Sequence, residues 1–197
     1  MRYREFDETE VLEAAMRSFW AKGYDGTSVG DLECSMKLSR TSIYNAFGSK
    51  RELFEKTIKH YKQTVLADLV VLFNIGSDLQ DSLKKLLEGV VNLHFRRDTP
   101  GGCFIALSVL EIEQHEGRSV DMLKEAVRQL QELLQNRIKA DDRLPTGLDA
   151  CGLSMMILAM MAGTMVMGKA GFSKTSLRKA GDTLCHLLDS TVGDSAE

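Results

Sequence analysis

Proline occurs only twice in this 197-residue chain, at Pro100 and Pro145. The residue that most reliably breaks a helix is therefore missing from long stretches. Val and Ile together are outnumbered by Leu alone, which favours helix over strand. The four cysteines, Cys34, Cys103, Cys151 and Cys185, show no CxxC spacing. The charged start "MRYREFDETE" reads as no secretory leader, so they are expected to be reduced thiols in a cytoplasm. His60, His94, His115 and His186 are scattered without ligand spacing, so no metal and no cofactor are expected. An excess of positive charge is missing as well. The formal net charge is -3, and residues 1–61 hold ten Lys/Arg against ten Asp/Glu. That balance argues against an architectural protein that coats DNA regardless of sequence. Any DNA binding has to come from local placement of cations.

What is present points to a packed soluble protein: 44% hydrophobic and 27% charged residues. One stretch, "ACGLSMMILAMMAGTMVMG" at 150–168, carries no charge and is long enough to span a bilayer. It is rich in Gly, Ala, Ser, Thr and Met, lacks flanking aromatics, and reads as a helix in a bundle or a dimer interface instead.

Helical periodicity fills the chain. A first helix is expected from about 7 to 21, ended by Lys22-Gly23. A second starts at Thr27-Ser28, with Ser28 and Asp31 close to a capping box. A third covers Arg40 to Phe47, capped by Ser39 and closed by Gly48. A fourth opens with the S-x-x-E box Ser49–Glu52 and runs past Leu69. Further helices are expected at about 78–96, 103–115, 118–140, 147–169 and 173–190.

The stretch "LSRTSIYNAFGSKRELFEK" carries the chemistry. On a helix, Arg40, Thr41, Tyr44 and Asn45 fall within about 140° of one another, opposite Ile43, Ala46 and Phe47. A helix, a tight turn and this helix make a helix-turn-helix. Arg can pair with guanine and Asn with adenine in the major groove, and Thr can touch a thymine methyl. Lys50, in the first turn of helix four, reads as a phosphate clamp. Thr27 and Ser28 are candidates for a second phosphate, Lys37 for another, and Arg2 and Arg4 for a mobile arm. Ser39 completes the DNA-facing set.

The segments "VLEAAMRSFWAKGYDGTSVGDL" and "SRTSIYNAFGSKRELF" resemble the DNA-binding domain of the TetR/AcrR family of bacterial repressors. Phe19, Gly23, Tyr24, Thr27, Ile43, Tyr44, Phe47, Lys50 and Leu53 fall at its signature positions. Cys34-Ser35-Met36-Lys37 departs from the family pattern, with Lys37 in place of the turn glycine. The resemblance implies an all-α fold of about nine helices. Residues 1–61 would form a three-helix DNA-binding domain, and 62–197 a larger helical domain for effector binding and dimerisation. It implies a homodimer, joined through the last two helices, on a palindromic operator in double-stranded DNA. Gly152, Ala159, Ala162, Gly163 and Gly168, with Leu177, Leu184, Leu187 and Leu188, suit that interface. It also implies repression released by a small molecule, whose identity the sequence does not give. The default effector site is a cavity inside helices four to eight, with Phe73, Leu93, Phe95, Phe104, Leu107, Met122, Met156 and Met160 as candidate lining. Cys103, at the expected start of a helix, is similar to the Gly-Cys of relatives that respond to electrophiles; an inert core thiol is the competing reading. A thiol-dependent Cys/His enzyme using Cys103 with His94 or His115 is the rival class. Nothing orients either histidine and no oxyanion feature is visible, so no catalytic residue is expected.

Overall fold

The computed structural model describes residues 6–141 and 148–193, with side chains as far as 188. Arg2, Arg4 and the connection at 142–147 lie outside the described residues. Among those described, every regular element is helical. The elements are α1 (Glu8–Lys22), α2 (Val29–Met36), α3 (Arg40–Phe47), α4 (Lys50–Tyr61), α5 (Ala67–Asn74), α6 (Leu79–His94), α7 (Phe104–Leu110), α8 (Arg118–Lys139), α9 (Ala150–Lys169) and α10 (Lys174–Gly193). A π-helical turn, Lys62–Leu66, joins α4 to α5. The expected fourth helix thus does run past Leu69, with a looser turn inserted. The helix expected at 103–115 is shorter. It stops at Leu110 and gives way to a 3₁₀ turn, Ile112–Gln114.

The helix starts are set by local polar chemistry. Asp7 accepts from the Thr9 N–H at 2.8 Å and caps α1. Ser28 with Asp31, and Ser49 with Glu52, form reciprocal capping boxes on α2 and α4. Ser39 caps α3 by accepting from the Ser42 N–H at 3.2 Å. Gly48, at φ 83°, ends α3 in a conformation that a side chain resists.

The chain forms two compact units, interleaved in sequence. One holds residues 1–65 and 104–126; the other holds 66–103 and 127–197. In the first, α1 packs on α2, α4 and α7, and α3 sits on α2 and α4. Its core is aromatic. Phe19 meets Phe54 edge-on at 5.2 Å, Trp20 meets Tyr61 at 5.2 Å, and Phe104 meets Phe54 at 5.7 Å.

In the second unit α6 is central, packed against α5, α9 and α10. Leu83, Leu86, Val90 and Leu93 bury its apolar side. The α6–α9 approach is close. A methyl at Gly168 would lie 2.4 Å from His94 Nε2, so only glycine fits there. The other side of α9 is bare. Met155, Ala159, Ala162 and Val166, spaced by four, three and four residues, are all exposed, as is Met156. α9 is long and apolar enough to cross a membrane by length and composition, with mean hydropathy 1.8 over its best window.

Candidate nucleic-acid interface

The reading surface is built on α3. Ile43 and Phe47 are buried in the first unit, at 1% and 2% exposure, and fix the helix on its core. The opposite side then has no choice but to face outward. Arg40, Thr41 and Asn45 are exposed and Tyr44 is partly so. Arg40 lies over the Tyr44 ring, its guanidinium carbon 5.5 Å from the centroid, so the two side chains are presented together. Ala46, expected on the packed side, is exposed instead. The start of α3 is held twice. Besides the Ser39 cap, the Arg40 backbone N–H donates to the Glu33 carboxylate of α2 at 2.6 Å. That bond ties the two helices of the motif across their turn.

The turn itself is unusual. Lys37 sits in the left-handed region at φ 54°, ψ 33°, and among the described residues no other non-glycine has positive φ. Such a conformation costs a side-chain-bearing residue about 1 kcal/mol or more. The exposed ammonium is what that conformation presents.

Around α3 the other candidates are distributed as follows. Ser28 and Ser39 are exposed and already serve as caps. Asp31, in the box with Ser28, is held well below the usual carboxylate range by the Lys22 ammonium at 2.5 Å and by Ser28. Lys50 is half-buried, its ammonium 4.5 Å above the ring of Tyr24. Thr27 corrects the sequence reading. Its side chain is fully buried, and its hydroxyl is directed at the Gly23 carbonyl at 2.7 Å and the Ser18 carbonyl at 3.2 Å. It locks the α1–α2 turn and offers no hydroxyl to a phosphate.

The candidate effector residues are divided between the two units. Phe104, Leu107 and Met122 belong to the first unit, the others to the second. Phe104 is buried in the aromatic core with Trp20, Phe54 and Tyr61. Phe73 and Leu93 are closely packed, whereas Phe95 and Met156 are open to solvent at 38% and 61%. Met160 lines a small cleft in the second unit with Leu87, Val91, Thr164 and Leu177, edged by Lys84, Glu88, Arg178 and Asp182. Cys103 is half-buried and precedes a helix of only seven residues, so the dipole expected to activate its thiol is short.

Sequence reasoning gave Glu111 no role and weighed His115 only as a histidine partner for Cys103. The Glu111 carboxylate accepts from the Tyr24 N–H at 3.4 Å. His115 is buried and stacked on Phe54, with ring centroids 4.8 Å apart. Burial pushes its pKa below the ordinary value, opposed by Glu111, the Ser108 backbone and Asp25. Neither was visible because their partners lie far away along the chain.

A buried three-helix support, a tight turn and an outward polar helix define a helix-turn-helix DNA-binding protein. Comparison with known proteins makes the class specific. The family profile "Bacterial regulatory proteins, tetR family" matches residues 11–57, and "Tetracyclin repressor-like, C-terminal domain" matches residues 80–184. The transcriptional repressor ComR of Escherichia coli is 27% identical over 189 residues, covering 93% of this chain and 90% of that protein. The repressor BdcR of the same organism is 26% identical over 61% of this chain and 60% of that protein. Among solved structures, a cysteine mutant of the TetR family regulator CifR complexed with 26bp operator DNA superposes with TM-score 0.84. It is 24% identical and covers 94% of this chain and 98% of that one. A TetR family regulator from Agrobacterium tumefaciens has TM-score 0.82 at 21% identity, covering 91% and 95%. The chain belongs to the tetR family of bacterial regulatory proteins. It is a DNA-binding transcriptional regulator of that family, not an enzyme.

Proposed function

We propose that the protein represses transcription as a homodimer on a palindromic operator, reading each half-site with Arg40, Thr41, Tyr44 and Asn45. The observation that carries this is the exposed row on α3, backed by Ile43 and Phe47 and held at its start by Ser39 and Glu33. Lys50, Lys37, Ser28 and Ser39 hold the phosphates on either side. Residues 1–61 supply the DNA-reading function and 62–197 the effector and dimer functions. The bare stripe on α9, with Leu187 of α10, supports the dimer: a second copy would cover it. Two of the small or apolar residues expected there do other work. Gly168 faces His94 within the protomer, and Leu177 is buried within it.

Release follows when an effector binds the state whose two reading helices no longer match the half-sites. The effector is a small apolar molecule or an electrophile that modifies Cys103. The family membership and the partly accessible thiol support this reading.

The test is operator affinity by fluorescence anisotropy. Arg40→Ala loses about 1–3 kcal/mol at one operator position and relaxes specificity there, whereas Lys50→Ala weakens all sequences alike and flattens the salt slope. Equal losses of Arg40→Ala on operator and random DNA would overturn base reading by α3.

A further inference from the structure

The residues that support the DNA-facing Lys50 do not all come from the helix-turn-helix. Tyr24, beneath the Lys50 ammonium, lies in the turn between α1 and α2. Its ring is packed on three sides: against Phe19 at 6.0 Å, Phe54 at 5.0 Å and His115 at 5.3 Å. His115 is itself stacked flat on Phe54 at an interplanar angle of 10°, leaving Nε2 buried and without a partner. Such an atom costs free energy, which the packing of the ring on Phe54 and Tyr24 has to offset.

The backbone of the same turn is held by Glu111. Its carboxylate accepts from the Tyr24 N–H and occupies the space beside Gly23, where a methyl would lie 2.6 and 2.7 Å from the two oxygens. A side chain at Gly23, already disfavoured by its φ of 75°, would push that carboxylate aside. Glu111 and His115 flank the 3₁₀ turn Ile112–Gln114 and belong to the segment 104–126. On both sides in sequence that segment is continuous with residues of the other unit.

We infer that Glu111 and His115 form a latch: from a segment outside the helix-turn-helix they hold the Tyr24 turn, and through the Tyr24 ring they position the Lys50 ammonium for a DNA phosphate. They are positioning residues and touch no DNA themselves. A shift of the 111–115 segment withdraws support from Lys50 without moving α3 relative to α2. The inference rests on the reading of Lys50 as a phosphate contact.

A double-mutant cycle on the full-length protein tests it, with operator affinity and its salt slope as readouts and circular dichroism to confirm folding. Glu111→Ala is expected to weaken operator binding about 2- to 5-fold, the range for losing a well-placed cation over an aromatic ring. In a Lys50→Ala background it should weaken binding no further. Tyr24→Phe, which keeps the ring, should bind as wild type, and Tyr24→Leu should bind as Glu111→Ala does. Glu111→Gln serves if the alanine variant fails to fold. Additive losses, or no loss from the Glu111 change, would overturn the latch while leaving the role of Lys50 standing. Lys50→Ala with unchanged affinity and salt slope would instead overturn the phosphate reading beneath it.

Discussion

At the scale of single residues, Lys37 and His115 each trade local stability for something else. Lys37→Gly relieves the left-handed conformation and is expected to raise stability by about 0.5–1 kcal/mol. It should also weaken binding to all DNA alike and lower the salt slope by about one. A thermal melt and a salt titration on one preparation read both; unchanged DNA binding would show that the cation does nothing there. His115 is held neutral by burial, so its folded pKa lies below the ordinary 6.5. Its contribution to stability is therefore complete above about pH 6.5 and falls away as pH drops towards the folded value, because the unfolded chain takes up the proton first. The melting temperature of wild type should fall more than that of His115→Phe across this window. Matching profiles would contradict it. Thr27 shows where sequence stopped being informative. A threonine before a helix reads the same whether its hydroxyl faces a phosphate or a carbonyl. Only the packing of α1 against α2, which brings Ser18 and Gly23 to it, decides.

At the scale of elements, the helices and their caps were legible because their causes are local. Ser28–Asp31 and Ser49–Glu52 are four-residue patterns, and α3 begins and ends where Ser39 and Gly48 dictate. The outward row on α3 followed from periodicity alone. The segment after Phe104 was not legible in the same way. Its pattern continues to His115, yet Glu111 turns away to Gly23, a residue 88 positions earlier, and the helix ends at Leu110. The effector lining was hard to read for a related reason: Phe104 and Phe73 are apolar whether they pack a core or line a cavity, and both are buried. The α6–α9 contact gives a prediction at this scale. His94 is not free to move aside for a Gly168→Ala methyl, since its Nδ1 accepts from the Gly102 N–H at 3.1 Å. That substitution should cost about 1–3 kcal/mol by overpacking, measured by urea denaturation; an unchanged midpoint would mean that the helices separate easily.

At the scale of the whole molecule, the apolar stripe of α9 takes its meaning from what covers it. The uncharged run at 150–168 reads as a helix in a bundle or a dimer interface, and in the fold one side of it is packed and the other bare. In the proposed dimer a second copy covers it, and the two α3 helices address half-sites about 34–36 Å apart. Val166→Glu places a charge in that seam and should yield a folded monomer by sedimentation. The same variant should lose operator binding while its α3 surface remains intact, and a Val166→Glu protein that stays dimeric would relocate the interface.

On the proposed function, α3 reads a twofold-symmetric operator. Selection of bound duplexes from a random pool, with and without a reductant, tests it most directly. The expected result is a palindromic consensus whose half-site centres are about one helical turn apart, lost in the Val166→Glu variant and altered at one position per half-site by Arg40→Ala. An asymmetric consensus, or none in either condition, would contradict it.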